Sequence, residues 1–259
     1  DYPEIKSTGS DALNATFPAS TLAEGISSTI YATADDEMRP AMNGIFFDIA
    51  EDKVTMVATD AHRLVRYSNT GVKPGVAASF ILPKKPASLL KNLLAKEENE
   101  VKVTFGAKNA RFEFGSTIIV CRQIEGRFPN YNAVIPQSNQ NIVTVDRQTI
   151  INACKRVAVF ANNGTAQLRL TLTENSIKIS AQDIDFSTSA EETITCDYNG
   201  TPMAIGFKAP FLIDLLGSIT SADVLLKLAD PARAGLLLPA ENEENEDVLM
   251  LLMPMLLND

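Results

Sequence analysis

The sequence predicts an α+β protein of two similar domains, in which a few helices accompany mostly antiparallel strands. The first observation is an internal repeat. The strand at 54–58 and the following Asp60 recur at 177–181 and Asp183, a shift of 123 residues (183 minus 60). Chance matches would not keep one register over so much of the chain, so the shift indicates duplication. Other pairs at the same shift are Phe47 and Leu170, Ile49 and Leu172, and Glu51 and Glu174. The second observation is that each copy contains short apolar runs separated by turn residues, which predicts hairpins.

The first domain is predicted to begin after a polar tail or linker at residues 1–14. Ser20 is suited to cap a helix that runs to about Ala34, with apolar residues recurring on one face. Pro86 is suited to the first turn of a second helix, which reaches about Ala95. Strands are expected at 45–49, 54–58, 64–68 and 79–82, and then as a three-strand meander at 101–105, 110–114 and 117–122.

The second domain is predicted to repeat this plan. A helix at 149–162 corresponds to residues 21–34, and the final strand follows an acidic, solvated loop at 241–247. Pro129 and Pro136 make the segment between the copies a stiff connector, because proline restricts its own backbone and that of the preceding residue. The predicted domains are therefore residues 15–131 and 132–259.

Composition excludes several classes of protein. A net charge of −9 argues against a protein that coats nucleic acid, although a local basic patch could still contact DNA. The three cysteines, Cys121, Cys154 and Cys196, show no metal-ligand spacing, so we expect no metal or cofactor and a reducing, cytoplasmic location. The sequence shows no signal peptide, and the apolar stretch at 248–257 is too short for a membrane helix.

Residues 59–64 are the first candidate site, because they contain the only histidine of the chain next to an arginine. The second copy keeps the aspartate but not the His-Arg-Leu that follows, which suggests ligand binding at the first copy. Asp60 and His62 could belong to a hydrolase relay, but no nucleophile motif or phosphate-binding loop accompanies them. In the simpler interpretation, Asp60 closes a turn and His62 forms a local hydrogen bond.

Two further features allow either a functional or a purely structural interpretation. Pro254 must end strand pairing, so Met255 and the leucines after it are expected to lie beyond the sheet. They form either an adaptable apolar binding surface or the cover of a neighbouring core. Basic residues recur at or near the predicted helices, where they form either a positive face or ordinary solvated positions. These basic residues are Arg39, Lys84, Lys85, Lys91, Arg147, Lys155, Arg156 and Lys208.

Five stretches resemble one known family, the bacterial sliding clamp or beta subunit of DNA polymerase III. They are residues 43–47, 58–64, 126–131, 205–207 and 252–255, and the similarity extends from about residue 15 to the end. The resemblance implies two tandem clamp domains, each with two helices packed on curved, mostly antiparallel sheets. It also implies a non-catalytic processivity factor for DNA replication, without catalytic residues or cofactors. The enzyme it would serve is a DNA-directed DNA polymerase, a nucleotidyltransferase.

Family clamps have three domains and close head-to-tail as dimers into a ring around duplex DNA. This chain resembles the second and third domains, so we expect a homodimer ring only for a three-domain chain. The expected partners are duplex DNA, bound without sequence preference, and the polymerase III alpha subunit, the clamp loader and repair polymerases. A stand-alone peptide-binding adaptor that does not encircle DNA is the alternative.

The resemblance further implies a pocket between the two domains that captures short peptides, typically a glutamine followed by apolar and aromatic residues. The expected peptide-binding residues are Met42, Thr59, Ala61, His62, Arg63, Leu64, Pro129, Val134, Phe211, Leu251, Met253, Pro254 and Met255. The expected DNA-facing residues are Arg39, Lys84, Lys85, Lys155 and Arg156. Ala61 stands where the family often has glycine, and Ala133 and Leu256 stand where well-known members carry arginine, so we expect a less positive pocket rim.

Overall fold

The structure, a computed structural model, describes residues 12–257. The chain forms two compact units. Unit 1 comprises Asp1–Tyr131 and Glu243–Asp247, and unit 2 comprises Asn132–Asn242 and Val248–Asp259. Among the described residues, no helix is both long and apolar enough to cross a membrane.

Unit 1 contains eight strands and two α-helices within its described part. In chain order they are β1 Leu13–Pro18, α1 Ala19–Thr29, β2 Gly44–Ala50, β3 Lys53–Thr59, β4 Arg63–Asn69, β5 Ala78–Pro83, α2 Lys84–Leu94, β6 Glu100–Phe105, β7 Asn109–Phe114 and β8 Thr117–Arg122. Short 3-10 turns occupy Ile30–Ala32 and Pro40–Met42. The strands pair antiparallel in the orders β1-β6-β7-β8 and β5-β2-β3-β4.

Unit 2 repeats these elements one for one. They are β9 Asn141–Asp146, α3 Arg147–Ala158, β10 Gln167–Thr173, β11 Ser176–Asp183, β12 Thr188–Thr195, β13 Met203–Lys208, α4 Ala209–Ser218, β14 Asp223–Leu228, β15 Gly235–Pro239 and β16 Glu246–Leu252. The strand orders β9-β14-β15-β16 and β13-β10-β11-β12 match those of unit 1. A 3-10 turn at Tyr131–Ala133 lies where the chain passes from one unit to the other. The repeat and the predicted α+β class, with two helices per domain, are both confirmed.

The core of unit 1 follows from the two periodicities of its sequence. Alternate residues of β2, namely Ile45, Phe47 and Ile49, are at most 2% exposed, as expected of a strand with one face packed inward. On α1, Leu22 and Ile26 are fully buried at a spacing of four, which places them on one face of the helix. These residues belong to one apolar cluster, in which α1 packs against α2.

Several predicted boundaries were wrong. Residues 1–11 of the predicted tail lie outside the described part of the chain, but Leu13 and Asn14 are not linker, because they pair with β6. Ser20 does not cap α1, since β1 leads directly into the helix and Pro18 occupies the N-cap position. The helix ends at Thr29, whose hydroxyl donates to the Gly25 carbonyl at 2.7 Å.

The predicted third helix is also too long, because α3 ends at Ala158 rather than at residue 162. The Asn162 side chain instead accepts a hydrogen bond from the Gly164 N–H at 3.0 Å and closes a turn. An asparagine that bonds the backbone two residues ahead favours turns over helix.

The acidic segment Glu243–Asp247 is largely exposed, as predicted, but it is also hydrogen-bonded within unit 1. The Thr70 N–H donates to the Asn245 carbonyl at 2.9 Å, and the Tyr67 hydroxyl donates to Glu246 Oε1 at 2.5 Å. Burial and the neighbouring Glu246 carboxylate raise the pKa of Tyr67 above its usual value, so the phenol remains a donor.

Candidate functional site

The turn between β3 and β4 is organised by Asp60. One carboxylate oxygen, Oδ1, accepts hydrogen bonds from the N–H groups of His62 and Arg63, each at 2.9 Å. The Thr59 hydroxyl donates to the Arg63 carbonyl at 2.8 Å and so ties the two ends of the turn together. The interpretation that Asp60 closes a turn is therefore confirmed.

Ala61 lies at the tip of this turn with φ = 73°, in the left-handed region. Its N–H donates to the Thr59 hydroxyl at 3.1 Å, which helps to hold the strained conformation. Glycine avoids the clash that a Cβ atom makes in this region. The backbone therefore supplies a physical reason for the glycine that the family often has here.

Arg63 is a buried structural side chain with only 8% exposure. Its Nε lies 3.1 Å from Asp60 Oδ2, and its Nη2 donates to the Tyr31 carbonyl at 2.7 Å. Its guanidinium also lies 5.5 Å from the centre of the Tyr31 ring. Arg63 therefore fastens the turn to the segment after α1 and has little freedom to reorient toward a ligand. The sequence carried no signal for Tyr31, because this contact joins residues 32 positions apart.

The second copy of the turn separates what is duplicated from what is unique. Asp183 Oδ1 accepts hydrogen bonds from the N–H groups of Asp185 and Phe186, at 3.0 and 3.3 Å. The shared aspartate thus performs the same turn-closing task in both units. The arginine anchor belongs only to the first copy.

The exposed part of the unit 1 site consists of Ala61, His62 and most of residues 35–40. A cleft of about 460 Å³ opens there and is lined by residues 33–39 together with Asp60 and His62. Of the other predicted peptide-binding residues of unit 1, Thr59 and Leu64 are buried, Met42 is half-buried and Pro129 is exposed. The connector before Pro129 is anchored on β2, since the Phe128 and Phe46 rings stack at 4.8 Å.

The predicted peptide-binding residues of unit 2 fall mainly on its C-terminal segment. Met253 is 44% exposed and Leu251 is buried, whereas Pro254 and Met255 are half-buried. The segment after Pro254 was predicted to lie beyond the sheet. It stays attached to β13, however, because the Met255 N–H donates to the Gly206 carbonyl at 2.8 Å. Elsewhere in unit 2, Val134 is 57% exposed and Phe211 is half-buried on α4.

The predicted DNA-facing residues differ in how their charges are compensated. Arg39 pairs with Asp36 at 2.8 Å, and Arg156 pairs with Glu192 at 2.6 Å. Each arginine lowers the pKa of its partner carboxyl, so both acids stay ionised and offset the positive charge. Lys84 and Lys85 are exposed in the first turn of α2, where they line a cleft of about 720 Å³ with Tyr31 and Leu89. Lys155 is exposed near the end of α3.

The family comparisons account for both units. Residues 16–130 match the DNA polymerase III beta subunit central domain, and residues 132–255 match the C-terminal domain of the same subunit. The beta sliding clamp of Pseudomonas putida is 30% identical over 251 residues, which cover 96% of this chain and 68% of that protein. The beta sliding clamp of Escherichia coli K12 is 28% identical over 255 residues and is likewise covered to 68% of its length.

A solved structure gives the same result. The DNA polymerase sliding clamp of Pseudomonas aeruginosa, crystallised with a ligand, has a TM-score of 0.94 and 31% identity. The match covers 99% of this chain and 69% of that chain. Sliding clamps are non-catalytic, so these relatives argue against the hydrolase interpretation of Asp60 and His62, and none of them supports a stand-alone adaptor. The chain therefore belongs to the bacterial sliding clamp family, the beta subunits that serve DNA polymerase III as processivity factors, and it corresponds to their central and C-terminal domains.

Proposed function

We propose that this protein forms part of a ring around duplex DNA and keeps DNA polymerase III at the primer end. The observation that carries the proposal is the match of two consecutive clamp domains over residues 16–255. A ring holds DNA by enclosure and slides because its contacts are made to phosphates without sequence preference. A tethered polymerase has a high effective concentration at the primer end and rebinds before it escapes. A cytoplasmic location suits this role and the free thiols of the chain.

Among the DNA-facing candidates, the lysines are better suited than the arginines to contact phosphates. Within the described residues, Lys84 and Lys85 form no ion pair, whereas Arg39 and Arg156 are each paired with an acid. We expect Lys84→Gln with Lys85→Gln to weaken duplex binding and to reduce the slope of log K against log salt by about two, because two phosphate contacts are lost. Lys73→Gln, an exposed lysine in a loop of unit 1, is the matched control. An unchanged slope would remove these lysines from the DNA-facing surface.

Unit 2 also presents a face suited to packing against a neighbouring subunit. Val159, Ile184 and Phe186 are more than 70% exposed, and Phe160 is 40% exposed. The two segments that carry them are in contact, because Asn162 Nδ2 donates to Asp185 Oδ2 at 3.4 Å. A cluster of large apolar side chains is costly to leave in water and marks an interaction surface. In the protein as the cell makes it, Val159→Asp with Phe160→Asp should convert a dimer into a monomer in light scattering. A dimer that persists would place the ring contact elsewhere.

Peptide capture is the second part of the proposed function. Among the predicted peptide-binding residues, the exposed ones are Ala61, His62 and Pro129 in unit 1 and Val134 and Met253 in unit 2. Flexible methionine side chains adapt to varied apolar partners, and a few anchors carry most of the affinity of such sites. We expect a short peptide with a glutamine followed by apolar and aromatic residues to bind with a Kd on the order of micromolar.

Calorimetric titration of that peptide tests the proposal. Met253→Ala should weaken binding about tenfold, as expected when a partly buried anchor is truncated. Ile142→Ala is the matched control, because Ile142 is 47% exposed on β9 and lies outside the proposed site. Arg63→Ala is a poor probe, since loss of the guanidinium would release the turn itself. If the wild-type protein failed to bind the peptide, the peptide-binding proposal would be wrong.

A further inference from the structure

The junction of β13 and α4 holds a positively charged side chain in a defined place. Lys208 is the last residue of β13 and the N-cap residue of α4, and Phe211 lies in the first turn of that helix. The Lys208 ammonium lies 5.0 Å from the centre of the Phe211 ring. An ammonium over an aromatic face is held by the ring quadrupole, which reduces the side-chain entropy lost when an anion binds.

In the part of the chain that the structure describes, no carboxylate forms an ion pair with this ammonium. Lys208 is exposed, and within the described residues it belongs to no ion pair, in contrast to Lys178, which pairs with Glu191 at 3.4 Å. Its partner in the β10–β13 register is Gln167, a neutral residue. The N-terminus of α4 adds a partial positive charge in the same region. An anion bound beside Phe211 would therefore meet an uncompensated positive charge.

The same part of unit 2 carries the C-terminal apolar segment. Gly206 accepts the hydrogen bond from the Met255 N–H, and it lies two residues before Lys208 on β13. A Cβ atom at Gly206 would lie 2.8 Å from the Met255 carbonyl oxygen. Residues two apart on a strand point to the same face, so the Lys208 side chain lies on the face of β13 that the Met255 segment covers. Gln167 links Lys208 to the C-terminal segment. Its backbone lies opposite Lys208 on β10, and its Nε2 donates to the Leu256 carbonyl at 2.9 Å. The ammonium is thus next to surfaces that we assign to peptide binding, namely Phe211 and Met255.

We propose that Lys208, held over Phe211, is a specificity-determining residue that favours partner peptides carrying a carboxylate beside their apolar residues. The inference rests on the proposed peptide-binding function and deepens it. An Asp or Glu side chain is the expected ligand, because it gains an ion pair while its apolar neighbours stay on the methionine segment.

The experiment compares two peptides of equal length on the same protein. One is the neutral peptide, a glutamine followed by apolar and aromatic residues. The other carries aspartate in place of a polar residue next to those apolar and aromatic residues, and each such flanking position is tested in turn. At low ionic strength we expect the best acidic peptide to bind the wild-type protein about three- to fivefold more tightly, the upper part of the range for an exposed ion pair. This preference should shrink as salt is added, because exposed charges are screened.

Variants of Lys208 test whether this side chain causes the preference. The ratio of the two Kd values should fall to about one in Lys208→Gln and return in Lys208→Arg, which keeps the charge and stacks on aromatic rings. Lys178→Gln removes the same charge from an exposed position on β11 and should leave the ratio at its wild-type value. Because only ratios are compared, a general loss of affinity in a variant does not mimic the effect.

The outcomes separate the inference from the function on which it rests. If neither peptide binds the wild-type protein, both the peptide-binding proposal and the role of Lys208 fail. If the neutral peptide binds and no acidic peptide binds more tightly, only the role of Lys208 is overturned. A preference that survives unchanged in Lys208→Gln would likewise overturn it.

Discussion

The duplicated turn allows one substitution to be measured twice in the same chain, as Asp60→Ala and Asp183→Ala. Each aspartate accepts two backbone N–H groups, at 2.9 Å for both in unit 1 and at 3.0 and 3.3 Å in unit 2. Loss of such a cap-like acceptor costs about 1 kcal/mol. Asp60 also pairs with the Arg63 guanidinium, and the two side chains are 15% and 9% exposed.

The Arg63 pair should dominate the difference between the two variants. Breaking a buried ion pair costs about 3–5 kcal/mol, because the remaining charge is left without compensation. The Tyr31 carbonyl still accepts from Arg63, so we expect the lower end of that range. Asp60→Ala should therefore destabilise unit 1 by about 4 kcal/mol, whereas Asp183→Ala should destabilise unit 2 by about 1 kcal/mol.

Hydrogen exchange read by mass spectrometry measures the two effects separately, because peptides from each unit report their own opening free energies. In unit 1 the protected strands β3 and β4 are the reporters, and in unit 2 they are β11 and β12. Asp60→Asn keeps an acceptor for the backbone but removes the charge, so its cost should lie between those of the two alanine variants. Equal costs for Asp60→Ala and Asp183→Ala, to within about 1 kcal/mol, would refute the role assigned to Arg63.

Three further substitutions test single features of the fold, each followed by chemical denaturation. Ala61→Gly should stabilise unit 1 by about 0.5–1 kcal/mol, since glycine relieves the strain at φ = 73°; a loss of stability would show that this strain is absent. Gly25→Ala should destabilise unit 1 by about 1–2 kcal/mol. The new Cβ atom would lie 2.5 Å from Met56 Sδ and 2.9 Å from Tyr67 Cδ1, both in fully buried side chains. An unchanged stability would show that these side chains can move aside without cost. Asp146→Ala should remove the N-cap of α3, where Asp146 Oδ1 accepts from the Thr149 N–H at 2.7 Å, and should cost about 1 kcal/mol at pH 7. Hydrogen bonds from Thr149 lower the pKa of Asp146, so the wild-type advantage is present above the ordinary value of 3.8 and is lost as the pH falls through the depressed pKa; an advantage that grew in acid would contradict the cap.

The errors in the sequence-based prediction share a physical origin. Helix ends were predicted from local composition, but α1 begins at Ala19 because β1 pairs with β6, which lies more than 80 residues later in the chain. The acidic loop is exposed as predicted, but the sequence did not show that it is hydrogen-bonded to Tyr67 and Thr70, which are distant along the chain. Local patterns identify elements well, whereas the partners that trim or anchor them are set by contacts between distant residues.

The sequence by itself determined the repeat, the α+β class and the family, because periodic apolar positions and a constant shift of 123 residues are properties of the chain alone. Only the tertiary structure decided what the marked residues do. The one arginine of the candidate turn proved to be buried and bound to Asp60 and Tyr31, whereas His62 and Met253 are exposed. The placement of Lys208 over Phe211 was equally hidden. A one-dimensional pattern records which charges exist, but their burial and partners arise from chain segments that meet only on folding.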